Sequence, residues 1–145
     1  GTTVVCLCID YKENLLHISH IGDSRIYLFR NGKLSQLTKD HSLLNELIDS
    51  GALNEEEANH FVNKAAVTKA VGVGADIKPD NKSLAYESDD IVLLVTDGLT
   101  NELDVDEIVE VITNYDDVFD ISINLVDKAI DKGGRDNVTV TTVKI

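Results

Sequence analysis

Arg25-Ile26-Tyr27-Leu28-Phe29-Arg30-Asn31-Gly32-Lys33-Leu34-Ser35-Gln36-Leu37-Thr38 reads as two strands joined by a two-residue turn. Asn31-Gly32 lies between the apolar runs Arg25–Phe29 and Leu34–Thr38, and both residues tolerate the positive φ that a tight hairpin demands. Leu15–Ile21 precedes this hairpin as another strand and stops at Gly22-Asp23. Before it, Thr2–Ile9 is rich in β-branched residues and turns over residues 10–14. The expectation is four antiparallel strands in succession. They lack the crossover helices that parallel pairing requires.

Beyond His41 the period changes. Leu43, Leu44, Leu47 and Ile48 recur at helical spacing, and Gly51 is placed to end that helix. Asn54 with Glu57 forms a capping pattern for a second short helix. Residues 63–81 read as a short helix followed by an irregular connection, with Gly72, Gly74 and the lone Pro79. Strands return at Ser83–Tyr86 and Ile91–Thr96. Ile91-Val92-Leu93-Leu94-Val95 is apolar at every position, the pattern of a strand covered on both faces. Asp104 and Glu107 cap the next helix, with the stripe Val105, Ile108, Val109 and Ile112. A longer helix over Asp117–Lys132 has acids at its start, a lysine at its end and Gly133 after it. Val138–Ile145 closes the chain as a strand. The fold class is α+β, antiparallel sheets packed with helices.

The 145 residues suit one domain with a genuine core. No apolar run approaches the roughly 20 residues that span a bilayer, and no export signal opens the chain, so no membrane partner is expected. The chain enters its first strand without a lead-in, and the expectation is that it begins inside a domain. Twenty-six acidic against 13 basic residues give a net charge of −13, which repels phosphate backbones and argues against nucleic acid. The acids form either a solvated surface or a set of carboxylates converging on a cation. Cys6 and Cys8, two apart in a strand, point the same way and are poorly placed for a mutual disulfide. They are expected as reduced thiols packed in a core, in a cytoplasmic setting. His17, His20, His41 and His60 are scattered, the first two on opposite strand faces, and core or hydrogen-bonding roles are expected rather than a zinc site.

Asp23, Asp97 and Asp136 share a context: each sits beside a glycine or glycine pair at the mouth of a strand. Singly, each reads as a turn residue. Together they read as carboxylates with little positional freedom, which cannot all stay ionised near one another without a cation. Oxygen donors of this kind suit Mg²⁺ or Mn²⁺.

Gly22-Asp23-Ser24-Arg25, Thr96-Asp97-Gly98-Leu99 and Gly134-Arg135-Asp136-Asn137-Val138-Thr139 resemble, in order, three signature segments of the metal-dependent protein phosphatase (PPM) family, the protein phosphatase 2C type. Gly1-Thr2-Thr3 and Thr38-Lys39-Asp40-His41-Ser42 resemble further segments of its bacterial branch. The resemblance implies that residues 1–145 are the C-terminal part of one phosphatase domain, an incomplete αββα sandwich, with 41–71 as a flap-like helical insertion. It implies hydrolysis of phosphoserine and phosphothreonine in proteins by a metal-activated water, with Mg²⁺ or Mn²⁺ as cofactor. Asp97 and Asp136 match two metal-binding aspartates, Asp23 matches a ligand of an additional, weaker site, and Asn137 orders its neighbour.

The family's first metal-binding aspartate and its phosphate-gripping arginine have no match here. Arg25, Arg30 and Arg135 belong to other motifs or turns. No complete catalytic set is therefore expected in the chain, and little or no activity from it alone. Phosphoprotein substrates, a cognate serine/threonine kinase and self-association through uncovered sheet surface are the expected partners. The alternative is a non-catalytic phosphatase-like module that binds or regulates others.

Overall fold

The computed structural model describes residues 1–59, 61, 66–74 and 76–145. In chain order the elements are β1 (Val4–Asp10), β2 (Leu15–Ile21), β3 (Arg25–Arg30), β4 (Lys33–Gln36), α1 (Leu43–Asp49), α2 (Glu55–Asn59), β5 (Asp80–Ala85), β6 (Ile91–Val95), α3 (Asp97–Thr100), α4 (Val105–Asn114), α5 (Val118–Asp131) and β7 (Val140–Lys144). The strands form two antiparallel sheets, ordered β1-β2-β5 and β4-β3-β6-β7.

The first four strands are thus not one succession of pairs. They are two hairpins in different sheets, because β2 takes β5 as its second neighbour and β3 takes β6. The chain changes sheet at Gly22-Asp23-Ser24. Gly22 has φ near 109°, and a Cβ there would lie 2.3 Å from Thr3 Cγ2, so glycine alone fits this corner. Asn31 and Gly32 both have positive φ, as the tight hairpin between β3 and β4 needs.

β6 explains the layering. Val92 and Leu94 face the other sheet and pack with Leu16, Ile18, Ile26 and Leu28. Ile91, Leu93 and Val95 face the opposite way, onto Leu99, Leu103, Ile108, Ile112, Ile121 and Leu125 of the helical layer. Sheet, sheet and helices form three layers, with β6 apolar throughout because both its faces are covered. In β1, Val5, Leu7 and Ile9 take the inner face, so Cys6 and Cys8 point outward together and are exposed, not core thiols.

The helix caps follow the sequence. Asp104 and Glu107 make a reciprocal capping box, and Asn54 and Glu57 do the same for α2. Asp117 caps α5 at its start, and Lys132 is its C-cap, ahead of Gly133. The apolar stripe of α4 is rotated from expectation: Val111 is buried with Ile108 and Ile112, while Val105 is exposed in the first turn. β5 starts at Asp80, earlier than expected, because its polar residues pair with β2 through the backbone and leave no apolar signature. The expected short helix after residue 63 falls largely on residues outside those described, as does His60.

Arg30 ties the sheets together at their far end. Its Nε and Nη2 bond Asp90 at 2.7 and 2.6 Å, and Nη2 also donates to Ala85 O at 3.0 Å. Burial opposes the charge on Asp90, yet the Arg30 pair and the Glu87 N–H outweigh it and hold the carboxyl below its ordinary range. Asp90→Asn should therefore cost about 2–3 kcal/mol in urea unfolding at neutral pH. The Asp90 contribution is complete above the ordinary carboxylate pKa and fades as pH falls through the depressed one, so the deficit of the variant should shrink toward pH 2.

Candidate functional site

Asp23 and Asp97 come to one cavity from two different sheet corners. Asp23 lies on the turn between β2 and β3, and Asp97 opens α3 at the end of β6. Their approach follows from register: Arg25 pairs with Val95, so the residues just before β3 and just after β6 are neighbours. The cavity, about 260 Å³, is lined by Asp23, Arg25, Asp40, Asn45, Asp97 and Asn101, with Ser42 and Leu44.

Charges around it are unequally matched. Arg25 forks onto Asp40, with Nε at 3.0 and 3.1 Å and Nη2 at 2.7 Å from the carboxylate. Gln36 and the Asn45 amide also hold the Asp40 residue, through its carboxylate and its carbonyl. Among the described residues the Asp97 carboxylate accepts one bond, from Asn101 Nδ2 at 3.3 Å. Among the described residues neither Asp23, Asp97 nor Asp136 has a lysine or arginine ion-pair partner. Burial, followed by the charge of Asp97, pushes the Asp23 carboxyl above its ordinary value.

Asp136 reaches the same corner through the backbone. Glu102, nearly fully buried, takes Arg135 Nε at 2.8 Å and Nη2 at 3.1 Å, which anchors the Gly133-Gly134-Arg135 loop beside α3. Thr96 Oγ1 donates to Asn137 O at 3.2 Å and accepts from Thr139 N at 3.0 Å. The N–H of Asn137 donates to Asp136 Oδ1 at 2.7 Å. Gly98 is what lets the segments touch: a Cβ there would lie 2.3 Å from Asn137 O and 3.5 Å from the Asp136 carbonyl carbon. Asp136 itself is exposed and is not among the residues lining the cavity. Sequence reasoning passed over Glu102, because its neighbours Asn101, Leu103 and Asp104 do not mark it out from a surface acid.

The three aspartates do not form one tight ligand set. Among the described residues, the group of three with mutually close ligand atoms is His20, His41 and Asp80, within 4.8 Å of one another. These histidines looked scattered along the chain, but β2 and the segment after β4 stack their rings at 4.7 Å with planes 7° apart. His17, on the opposite face, bonds Ser83 at 2.8 Å.

Comparison with known proteins agrees with the fold. A family model described as "Protein phosphatase 2C" matches residues 1–47. The protein phosphatase PhpP of Streptococcus pneumoniae is 41% identical over the whole chain. The chain spans 58% of that protein's length. The S. agalactiae serine/threonine phosphatase structure is 36% identical, with a TM-score of 0.90, over 99% of this chain and 58% of its own. The catalytic domain of the serine/threonine protein phosphatase PstP in complex with two manganese ions is 31% identical, with a TM-score of 0.81, over 98% of this chain and 57% of its own.

The close approach at Gly98 has a direct consequence. Gly98→Ala must push the loop carrying Asp136 away from α3, and should lower stability by about 1–3 kcal/mol in chemical denaturation.

Proposed function

Because this chain belongs to the protein phosphatase 2C family, we propose that it supplies part of the metal site of a protein serine/threonine phosphatase, which hydrolyses phosphoserine and phosphothreonine with Mg²⁺ or Mn²⁺. Asp97 and Asp136 are the residues proposed to hold the ions that serve the reaction, and Asp23 an additional one. The observation that carries this reading is the cavity shared by Asp23 and Asp97, two carboxylates with no ion-pair partner among the described residues, the first held above its ordinary pKa by burial and then by the charge of the second. A pair of that kind is stabilised by a cation. The donor set fits: oxygen donors suit Mg²⁺ and Mn²⁺.

When bound, a divalent cation supplies activation of water and neutralises charge on the phosphoryl oxygens. The chain's own part is to hold the acids. β6 places Asp97, the turn at Gly22 places Asp23, and Thr96 with Glu102 holds the loop of Asp136. Arg25 stands in the cavity wall, but its fork is spent on Asp40, so it serves the wall rather than a substrate phosphate. Residues 41–71 are proposed as a flap bordering the site, a reading supported by Ser42, Leu44 and Asn45 in the cavity lining. The substrates are cytoplasmic phosphoproteins, modified by a cognate serine/threonine kinase.

A manganese titration of the full-length gene product, followed by calorimetry, tests the assignment. Asp97→Asn should weaken Mn²⁺ binding by more than the roughly 10–100-fold that loss of an outer partner costs. Mn²⁺-dependent hydrolysis of a phosphothreonine peptide should fall with it. Equal Mn²⁺ binding by the two proteins removes Asp97 from the site.

A further inference from the structure

We propose that His41 is a positioning residue that holds the Gly22-Asp23 turn in the conformation needed for metal binding, with Asp80 behind it as its orienting partner. This inference rests on the metal-site reading of Asp23 given above. His41 grips Gly22 twice. The Gly22 N–H donates to His41 Nδ1 at 3.0 Å, and the His41 backbone N–H donates to Gly22 O at 2.9 Å. The grip is on the residue immediately before Asp23, so it fixes the peptide groups from which the Asp23 side chain is projected.

The ring is fixed on all sides. It is 7% exposed and lies flat against His20, whose Nε2 meets Lys39 O at 2.9 Å. A backbone N–H can only donate, so Nδ1 of His41 is the acceptor and its proton sits on Nε2. Among the described residues that buried Nε2 has no well-aligned acceptor. Asp80 Oδ2 stands 3.3 Å away but off the line of a good hydrogen bond, so the contact is electrostatic. Lys69 Nζ lies 3.7 Å from the other oxygen of Asp80.

The same three residues have the spacing of a metal site, but the tautomer argues against one. A histidine ligand gives a lone pair to the metal and donates its other N–H to an outer partner. Here the outer contact, Gly22, is itself a donor. Binding a metal through Nε2 would need that nitrogen stripped of its proton with Nδ1 still accepting. The arrangement suits orientation of a backbone turn.

The test compares His41→Phe, which keeps a flat ring but has no acceptor, with His41→Asn, whose Oδ1 can take the place of Nδ1. Both are made in the full-length gene product, with Asp97→Asn as the control for the metal site. Mn²⁺ affinity is read by calorimetry and stability by urea unfolding. His41→Phe should weaken Mn²⁺ binding about 10-fold or more, and His41→Asn should recover most of it. Lower stability with unchanged Mn²⁺ affinity in His41→Phe would leave the residue a purely structural role and overturn the proposal. If Asp97→Asn also left Mn²⁺ binding unchanged, the metal-site reading itself would fail, which separates the two failures. Nitrogen-15 NMR of the unsubstituted protein gives a check that needs no variant to fold. A His41 proton on Nε2 is expected, and a proton on Nδ1, or Zn²⁺ bound at the ring, would refute the assignment.

Discussion

A strand with no polar face must be covered twice, and β6 meets that demand by lying between a second sheet and a helical layer. Everything near the site hangs from it. Its Val92 and Leu94 close the core between the sheets, while Leu93 and Val95 close the core beneath the helices. A strand held from both sides has no freedom to slide or tilt, so the residue at its mouth, Asp97, is placed by the two cores rather than by its own contacts. Among the described residues its carboxylate makes one long hydrogen bond. The economy of local contacts around it is possible because the scaffold does the placing.

Charge pairing is the second organising element. Arg25 takes Asp40, Arg30 takes Asp90 and Arg135 takes Glu102. Each pair joins segments far apart in sequence or braces a turn, and each consumes a guanidinium that would otherwise be available to a neighbouring acid. In a chain with twice as many acids as bases, this distribution leaves Asp23 and Asp97 lining one cavity with no ion-pair partner among the described residues, while Arg25 beside them is engaged by Asp40. Electrostatic repulsion of this kind costs stability in the absence of an ion and is relieved by one.

Two glycines permit the approach of segments that would otherwise collide. At Gly22 the constraint is both steric and conformational, since Thr3 fills the space of a side chain and φ is positive. At Gly98 it is steric alone: the loop carrying Asp136 and Asn137 crosses where a Cβ would be. Thr96 then clamps that loop from the neighbouring position, with one hydroxyl serving a carbonyl and an N–H in turn.

The periodicity of apolar residues, the Asn31-Gly32 turn, the capping pairs at Asn54 and Asp104 and the acids opening the helix at Asp117 were enough to predict most of the elements, though not α3, because these are local effects of a few neighbouring residues. The glycine-flanked aspartates at strand mouths were visible for the same reason. Partner choice was not. Whether β2 continues onto β3 or leaves it for β5, and whether Cys6 and Cys8 face the core, depend on which surfaces are covered, a property of the assembled layers. The stacking of His20 on His41 with Asp80 alongside, and the burial of Glu102 under Arg135, join residues whose sequence neighbours carry no common signal. Chain order sets what each segment prefers to be. Only the packing of the sheets decides which polar groups are left to answer one another, since that depends on distance in space and on the exclusion of water.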